Sequence, residues 1–222
     1  MMRIYHASVA LDEVRWAFAA GLIDGIVATP AVIAAQLPNA DPRELVQELS
    51  SAVPLPIIAS VRAVNRDELY KGARELTRLA EQVIVAVPLV EDALPAIKRL
   101  SAEGVRVAVT LVHNAAQAAL AAKAGAAYVT IAVDAAAHVG DDPTLAIAES
   151  RVIFDRFDLE CNIIAAGPSS SRAFIDAMAA GADGAVVTTD VLKALLQHPL
   201  TDRGFDRFLG EISRRPKPRR PR

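Results

Sequence analysis

Arg62, His113 and Asp134 are the side chains in this sequence most suited by type and placement to move protons. Each stands at or just past the end of an apolar run of strand length, over residues 56–61, 105–111 and 127–133. A guanidinium, an imidazole and a carboxylate gathered at one place can hold an anion and pass a proton. The plainer alternative is a rim ion pair between Arg62 and Asp134, with His113 opening the helix that follows it.

A second constellation is Gly167-Pro168-Ser169-Ser170-Ser171, with Thr188-Thr189-Asp190 further on. Small polar residues between a strand and a helix let backbone N–H groups approach an anion closely. The same residues equally suit a turn and helix N-caps. His138 with Asp141 and Asp142 has no diagnostic metal-ligand spacing and reads as a solvated loop, so no metal site is assigned. His6 is expected to face a helix layer as a satisfied core histidine. Trp16 is expected to pack, and Cys161 to serve as a small hydrophobe.

The elements that would position these groups alternate steadily. Short apolar runs, at residues 3–7, 25–28, 56–61, 83–87, 105–111, 127–133, 162–166 and 184–187, are each followed by a segment of helical spacing. The first helix would bury Leu11, Val14 and Phe18. Asp41-Pro42-Arg43-Glu44 is a helix start, with an Asp cap, proline at the first helical position and a glutamate three residues after the cap. Asn65 with Glu68 repeats the device. Gly104, Gly125 and Gly181 sit where helices should stop. Helices are also read over residues 191–197 and 204–212.

Eight strands that are apolar on both faces, each followed by a helix, predict a single α/β domain closed as a (β/α)8 barrel. A doubly wound open sheet is the other architecture with this rhythm, but no G-x-G-x-x-G follows the first strand. Side-chain alternation then sends Ala7, Thr29, Ser60, Arg62, Ala86, Ala108, Thr110, Asp134, Gly167 and Thr188 to the carboxyl mouth.

Composition bounds the rest. The chain has 222 residues, 53% hydrophobic, enough for one domain of this kind. It holds 24 basic and 26 acidic side chains. Six of the basic ones fall in residues 213–222, leaving a body of 18 basic and 26 acidic groups, net −8. That body is not a nucleic-acid surface. The barrel is expected over 1–212, and 213–222 as a disordered basic tail, able to make weak polyanion contact. One cysteine excludes an internal disulfide and suits a reducing compartment. Arg3-Ile4-Tyr5-His6-Ala7 is too short and polar for a signal peptide, and no apolar run reaches a membrane span. A cytoplasmic protein without membrane contact is expected.

Particular residues also carry a resemblance. Gly21-Leu22-Ile23-Asp24-Gly25 with Pro30, then Thr110-Leu111-Val112 followed by Ala115-Ala116-Gln117-Ala118, resemble the small transaldolases and fructose-6-phosphate aldolases. So do Ala121-Ala122-Lys123-Ala124-Gly125-Ala126 with Tyr128-Val129, and His198-Pro199-Leu200-Thr201-Asp202 near the end. The similarity runs over roughly residues 2 to 213. It implies a transaldolase-type barrel with an extra C-terminal helix, sugar-phosphate substrates, a Schiff-base lysine and rings of barrels.

The chain departs from that pattern where barrel active sites lie. The family lysine position is Ala86, within Val85-Ala86-Val87-Pro88. The strand-one aspartate is Ala7, and the Thr-Thr-Asn before Pro30 is Val27-Ala28-Thr29. The strand-three Glu or Gln is Ser60, and the strand-five asparagine is Ala108, although Thr110 remains. The phosphate-binding arginine after strand six is Ala135, and the strand-seven serine and its following arginine are Gly167 and Ser169. His113 lies where the aldolase branch has a tyrosine acid. Lys71, Lys98, Lys123 and Lys193 fall on helical polar faces and Lys217 in the tail, none in a position to be desolvated as a nucleophile.

Three roles stay open. One is a non-aldolase paralogue, or pseudoenzyme, binding a small molecule through Thr29, Ser60, Thr110, Gly167, Ser169, Ser170 and Thr188. Another is a divergent carbohydrate enzyme, aldolase- or lyase-like, using Arg62, His113 and Asp134. The third is a structural or regulatory oligomer. No cofactor is expected. The ligand, phosphorylated or not, is a small molecule, and the assembly a pentamer or decamer.

Overall fold

The computed structural model describes residues 1–63, 65–138 and 140–213; the tail from residue 214 onward lies outside them. The apolar runs become β1 (Arg3–His6), β2 (Gly25–Ala28), β3 (Ile57–Ser60), β4 (Val83–Pro88), β5 (Val107–Val112), β6 (Tyr128–Ala132), β7 (Asn162–Ala166) and β8 (Gly184–Val187). All pair in parallel in sequence order, and β8 returns to β1 to close the barrel.

Helices fill the intervals because their apolar spacing switches to the helical period and their ends are capped. In order they are α1 (Leu11–Ala19), α2 (Pro30–Gln36), α3 (Pro42–Ala52), α4 (Arg66–Leu79), α5 (Ala93–Ala102), α6 (Ala115–Lys123), α7 (Val133–His138), α8 (Pro143–Arg156), α9 (Ser171–Ala179), α10 (Thr189–Ala194) and α11 (Pro199–Ser213). Asp41 accepts from the N–H groups of Arg43 and Glu44, and Asn65 from that of Glu68. Gly104, Gly125 and Gly181 follow helix ends with φ of 78°, 97° and 107°. Glycine reaches that left-handed region without the cost a side chain would add.

Two apolar layers result. The outer one packs strand residues such as Val85, Val109 and Ile131 against the helices. The inner one fills the barrel with Tyr5, Val27, Ile58, Ile84, Ala86, Ala108, Tyr128 and Ile164. At the amino end Tyr5 and Tyr128 meet edge to face, 6.3 Å between ring centroids. Gly25 makes room for them, since a Cβ there would come within 2.6 Å of the Tyr5 ring.

Several details differ from the sequence reading. α1 buries Val14 and Ala17 and leaves Phe18 exposed. The chain after β6 coils at once into α7, so Asp134 lies in the first turn of a helix. α10 begins at Thr189 and α11 at Pro199, both earlier than their periodicity indicates. β5 carries a register shift between Val109 and Val112, where Leu111 takes φ 60° and is 59% exposed. A leucine in that region is strained by about 1–2 kcal/mol, and the twist swings its side chain out of the strand alternation.

Candidate functional site at the barrel mouth

Register places the mouth residues. Ser60 pairs with Ala86 across β3 and β4, and Ala86 pairs with Ala108 across β4 and β5. These three small side chains form one continuous step on the inner wall. Ala86 is 1% exposed and packs in the inner cluster. One layer higher, Thr110 stands beside Pro88. The hydroxyls of Thr29, Ser60 and Thr110 make no hydrogen bond among the described residues, and Thr29 precedes α2 without using its side chain as a cap. The wall is thus apolar at Ala86 and Ala108, with three uncommitted hydroxyls, those of Thr29, Ser60 and Thr110, around it. Lys71, Lys98, Lys123 and Lys193 are exposed on α4, α5, α6 and α10.

Arg62, His113 and Asp134 occupy separate parts of the rim. Arg62 borders a cavity with Asp41 and Lys71, between β3, α3 and α4. His113 is exposed and its backbone N–H donates to Gln117 Oε1 at 2.8 Å, so it sits where α6 begins. Asp134 Oδ1 accepts from the N–H of Ser169 at 3.3 Å, and its carbonyl oxygen is bonded to His138 Nδ1 at 2.6 Å. No hydrogen bond or ion pair joins Arg62, His113 and Asp134 to one another among the described residues, so neither a proton-transferring set nor a rim ion pair is assembled by direct contact.

The β7–α9 turn has the backbone that small residues permit. Gly167 takes φ 74°, and Ser170 caps α9 by accepting from the N–H of Ala173 at 3.1 Å. Thr188 caps α10 by accepting from the N–H of Val191 at 3.4 Å. The capping reading therefore describes both hydroxyls, and the Ser169 N–H already faces an anion supplied by the chain itself.

Sequence reasoning missed a buried polar cluster at the seam where β8 closes onto β1. His6 is fully buried and its Nε2 lies 2.9 Å from Thr189 Oγ1. Thr189 donates to Glu13 Oε2 at 2.5 Å, and Ser8 donates to the same oxygen at 2.6 Å. Gln36 adds a longer bond to Glu13 and accepts from the N–H of Val9. Because the one hydroxyl proton of Thr189 goes to Glu13, His6 must donate from Nε2. Its Nδ1 is then a buried acceptor without a partner among the described residues. His6 faces the helix layer as expected but is only half satisfied.

Burial lowers the His6 imidazole below its ordinary value, against the pull of Glu13, and keeps it neutral. Burial alone would raise Glu13, but hydrogen bonds from Ser8, Thr189 and Gln36, with His6 nearby, outweigh it and hold the carboxyl low. Nothing in the spacing of residues 6, 8, 13, 36 and 189 announces the cluster. An acid in the first turn of α1 is ordinary.

The remaining residues resolve simply. Trp16 lies on the exposed side of α1, with Lys193 Nζ 5.6 Å from its ring centroid, and is not core packing. Cys161 is buried, which pushes its thiol up to about 12. Asp142 caps α8 and His138 is exposed. Among the described residues no group of three or more His, Cys, Asp and Glu is placed to hold a metal ion. Nor is any described helix long and apolar enough to cross a membrane.

Residues 9–215 match the family model described as Transaldolase/Fructose-6-phosphate aldolase. The chain is 35% identical over 210 residues to a "Probable transaldolase" of Methanococcus maripaludis, covering 95% of this chain and 97% of that one. It is 34% identical over 210 residues to a protein of the same name from Kosmotoga olearia, covering 95% of each. A Clostridium acetobutylicum protein, also so named, is 35% identical over 209 residues, 94% of this chain and 96% of that one. With this barrel and these matches over nearly its whole length, the chain belongs to the transaldolase/fructose-6-phosphate aldolase family.

Proposed function

We propose that this family member binds a small molecule at the carboxyl mouth of its barrel and does not carry out Schiff-base aldol chemistry. The observation that carries the reading is Ala86, pointing inward from β4 at the position where the resemblance implies the lysine. Covalent catalysis on a ketose needs a desolvated amine next to the substrate carbonyl. The described lysines sit on helices in solvent, and the inner step of Ser60, Ala86 and Ala108 holds no nitrogen nucleophile. Asp134 supports the same reading, because its carboxylate takes up the Ser169 N–H in the turn where barrels often hold phosphate. The uncommitted hydroxyls of Thr29, Ser60 and Thr110 suit a neutral polar ligand over an apolar floor.

The test is borohydride reduction of the full chain with fructose 6-phosphate or dihydroxyacetone, read by intact mass. No adduct inside the barrel is expected; a stable adduct mapped to any lysine inside the barrel refutes the proposal.

We infer in addition a homo-oligomer, a ring of five or two stacked rings. The support is α11, fifteen residues of which none is buried within the single chain. Leu200, Phe205, Phe208, Leu209 and Ile212 are all exposed on it, and an apolar face of that extent calls for a partner surface. Light scattering at micromolar concentration checks this, and a monomer mass overturns it.

A further inference from the structure

We infer that Leu111 sets ligand selectivity at the barrel mouth by requiring an alkyl group on the molecule bound there; the inference rests on the mouth being a small-molecule site. Val109 and Val112 of β5 both pack in the outer layer against the helices, although residues three apart in a regular strand face opposite sides. On β6 the residues beside them, Val129 and Ile131, are two apart and both outer. Thr110 and Leu111 therefore oppose the single inner residue Thr130, the arrangement of a β-bulge. The bulge puts two side chains on the inner side of the strand where alternation alone provides one.

This bulge is held from both sides. Thr130 is buried and its hydroxyl donates to the Val109 carbonyl at 3.3 Å. The Leu89 N–H donates to the Thr110 carbonyl at 2.9 Å, which draws the end of β4 alongside. Past the bulge, the His113 N–H is taken by Gln117 Oε1 at 2.8 Å. Between these fixed points Leu111 keeps φ 60°, where glycine or asparagine would sit at lower cost. Little packing offsets that cost: Leu111 is 59% exposed and belongs to none of the apolar clusters. A leucine strained beside Thr110 and left in water gains when a ligand covers it.

The mouth is thereby two-sided. Thr29 and Ser60, at the ends of β2 and β3, offer hydroxyls. Leu111 offers carbon at the end of β5, and Val90, past the end of the neighbouring β4, is exposed as well. A molecule hydroxylated at one end and alkyl at the other satisfies both sides. One hydroxylated throughout leaves Leu111 facing polar groups. The ligand class is a small neutral hydroxy compound with a short alkyl end.

The test titrates the full chain with hexane-1,2-diol and, separately, with sorbitol, both neutral and of equal carbon count. Occupancy is read by NMR from the methyl group of Ala86, which lies on the inner wall and is present in every variant. The diol should saturate and bind at least about tenfold more tightly than sorbitol, the effect of covering roughly two methylene groups. Leu111→Gly and Leu111→Asn both tolerate this φ. Each should bring the two affinities within about threefold, with a melting temperature equal to or above that of the wild type. The inference is overturned if sorbitol binds the wild type as tightly as the diol, or if the diol's advantage survives both substitutions. It is overturned too if both substitutions lower the melting temperature, which makes Leu111 a structural residue. Saturation by sorbitol alone overturns it and leaves small-molecule binding at the mouth standing; saturation by neither overturns it along with the mouth reading for this ligand class. The borohydride result concerns the lysine and is independent of each of these outcomes.

Discussion

The carboxylate of Asp134 accepts a hydrogen bond from the backbone N–H of Ser169, 3.3 Å away, and so ties the first turn of α7 to the turn between β7 and α9. An N–H group that otherwise awaits an anion is answered from within the chain. Replacing Asp134 with alanine should free it. We expect Asp134→Ala to cost about 0.5–1.5 kcal/mol of stability in urea unfolding, and to add a phosphate-dependent shift of the Ser169 amide that the wild-type chain lacks. An unchanged amide in phosphate would show that the turn does not accept an external anion.

Ala86→Lys places an amine on the inner wall, where burial lowers its pKa and exposes the neutral form. The amine alone is not an enzyme. Ala7, Ala108 and Ala135 supply no proton transfer and no phosphate contact, and positioned acid–base groups contribute roughly 100- to 10,000-fold. Aldol cleavage of fructose 6-phosphate by Ala86→Lys should stay at least about a hundredfold below that of an active relative assayed in parallel. Comparable turnover would show that the remaining mouth residues suffice.

The seam cluster gives stability a pH dependence whose sign is fixed. The folded chain keeps His6 neutral, with its pKa below the ordinary 6.5. Below about 6.5 the unfolded chain takes up a proton that the folded chain refuses, so stability present above that pH is lost as the pH falls toward the folded value. Glu13 acts lower down. Its folded pKa is below 4.5, so its contribution is present above 4.5 and disappears as the pH falls through the folded value. Urea unfolding should show declining stability from pH 7.5 to 5.5, and His6→Gln should flatten that slope. Glu13→Ala should cost about 1–2 kcal/mol at pH 7, because the buried Thr189 hydroxyl loses its acceptor while Ser8 keeps Gln36 Oε1 at 3.2 Å.

How far the sequence could be read follows from which interactions are periodic. The barrel was legible because eight apolar runs and their caps repeat, and Asp41, Asn65 and the three helix-ending glycines do in the structure what their types imply. Ala86, Ser60 and Ala108 were correctly set on the inner wall by alternation alone. Phe18 misled because an apolar residue at helical spacing also fits a helix edge. Leu111 was invisible because a register shift has no composition signature. The His6–Thr189–Glu13 cluster was missed since its members lie far apart in the chain and meet only when the barrel closes. For the same reason three rim residues of suitable chemistry, Arg62, His113 and Asp134, could be named without revealing that they face different neighbours.

α11 offers a direct check on assembly. Phe208 is 54% exposed and lies on the apolar side of a helix that touches no core. If the proposed oligomer forms, Phe208→Asp should convert it to monomer by light scattering while leaving helical circular dichroism unchanged. A mass equal to that of the wild type would remove α11 from the interface.

Residues 213–222 carry six basic groups and no acidic one. Ending the chain after Ser213 should leave the melting temperature within error, and should lower retention on heparin in a salt-dependent manner. Unchanged retention would make the segment irrelevant to polyanions.

The two tyrosines at the amino end have a further consequence for traffic. Tyr5 and Tyr128, with Arg3 Nη1 3.5 Å from the Tyr128 hydroxyl, stopper the barrel below the inner step. Among the described residues the amino end is closed, so a molecule resting on Ser60, Ala86 and Ala108, as proposed, would enter and leave by one doorway. Whatever settles over that doorway, a neighbouring subunit or a loop, would govern residence time inside without touching the occupant.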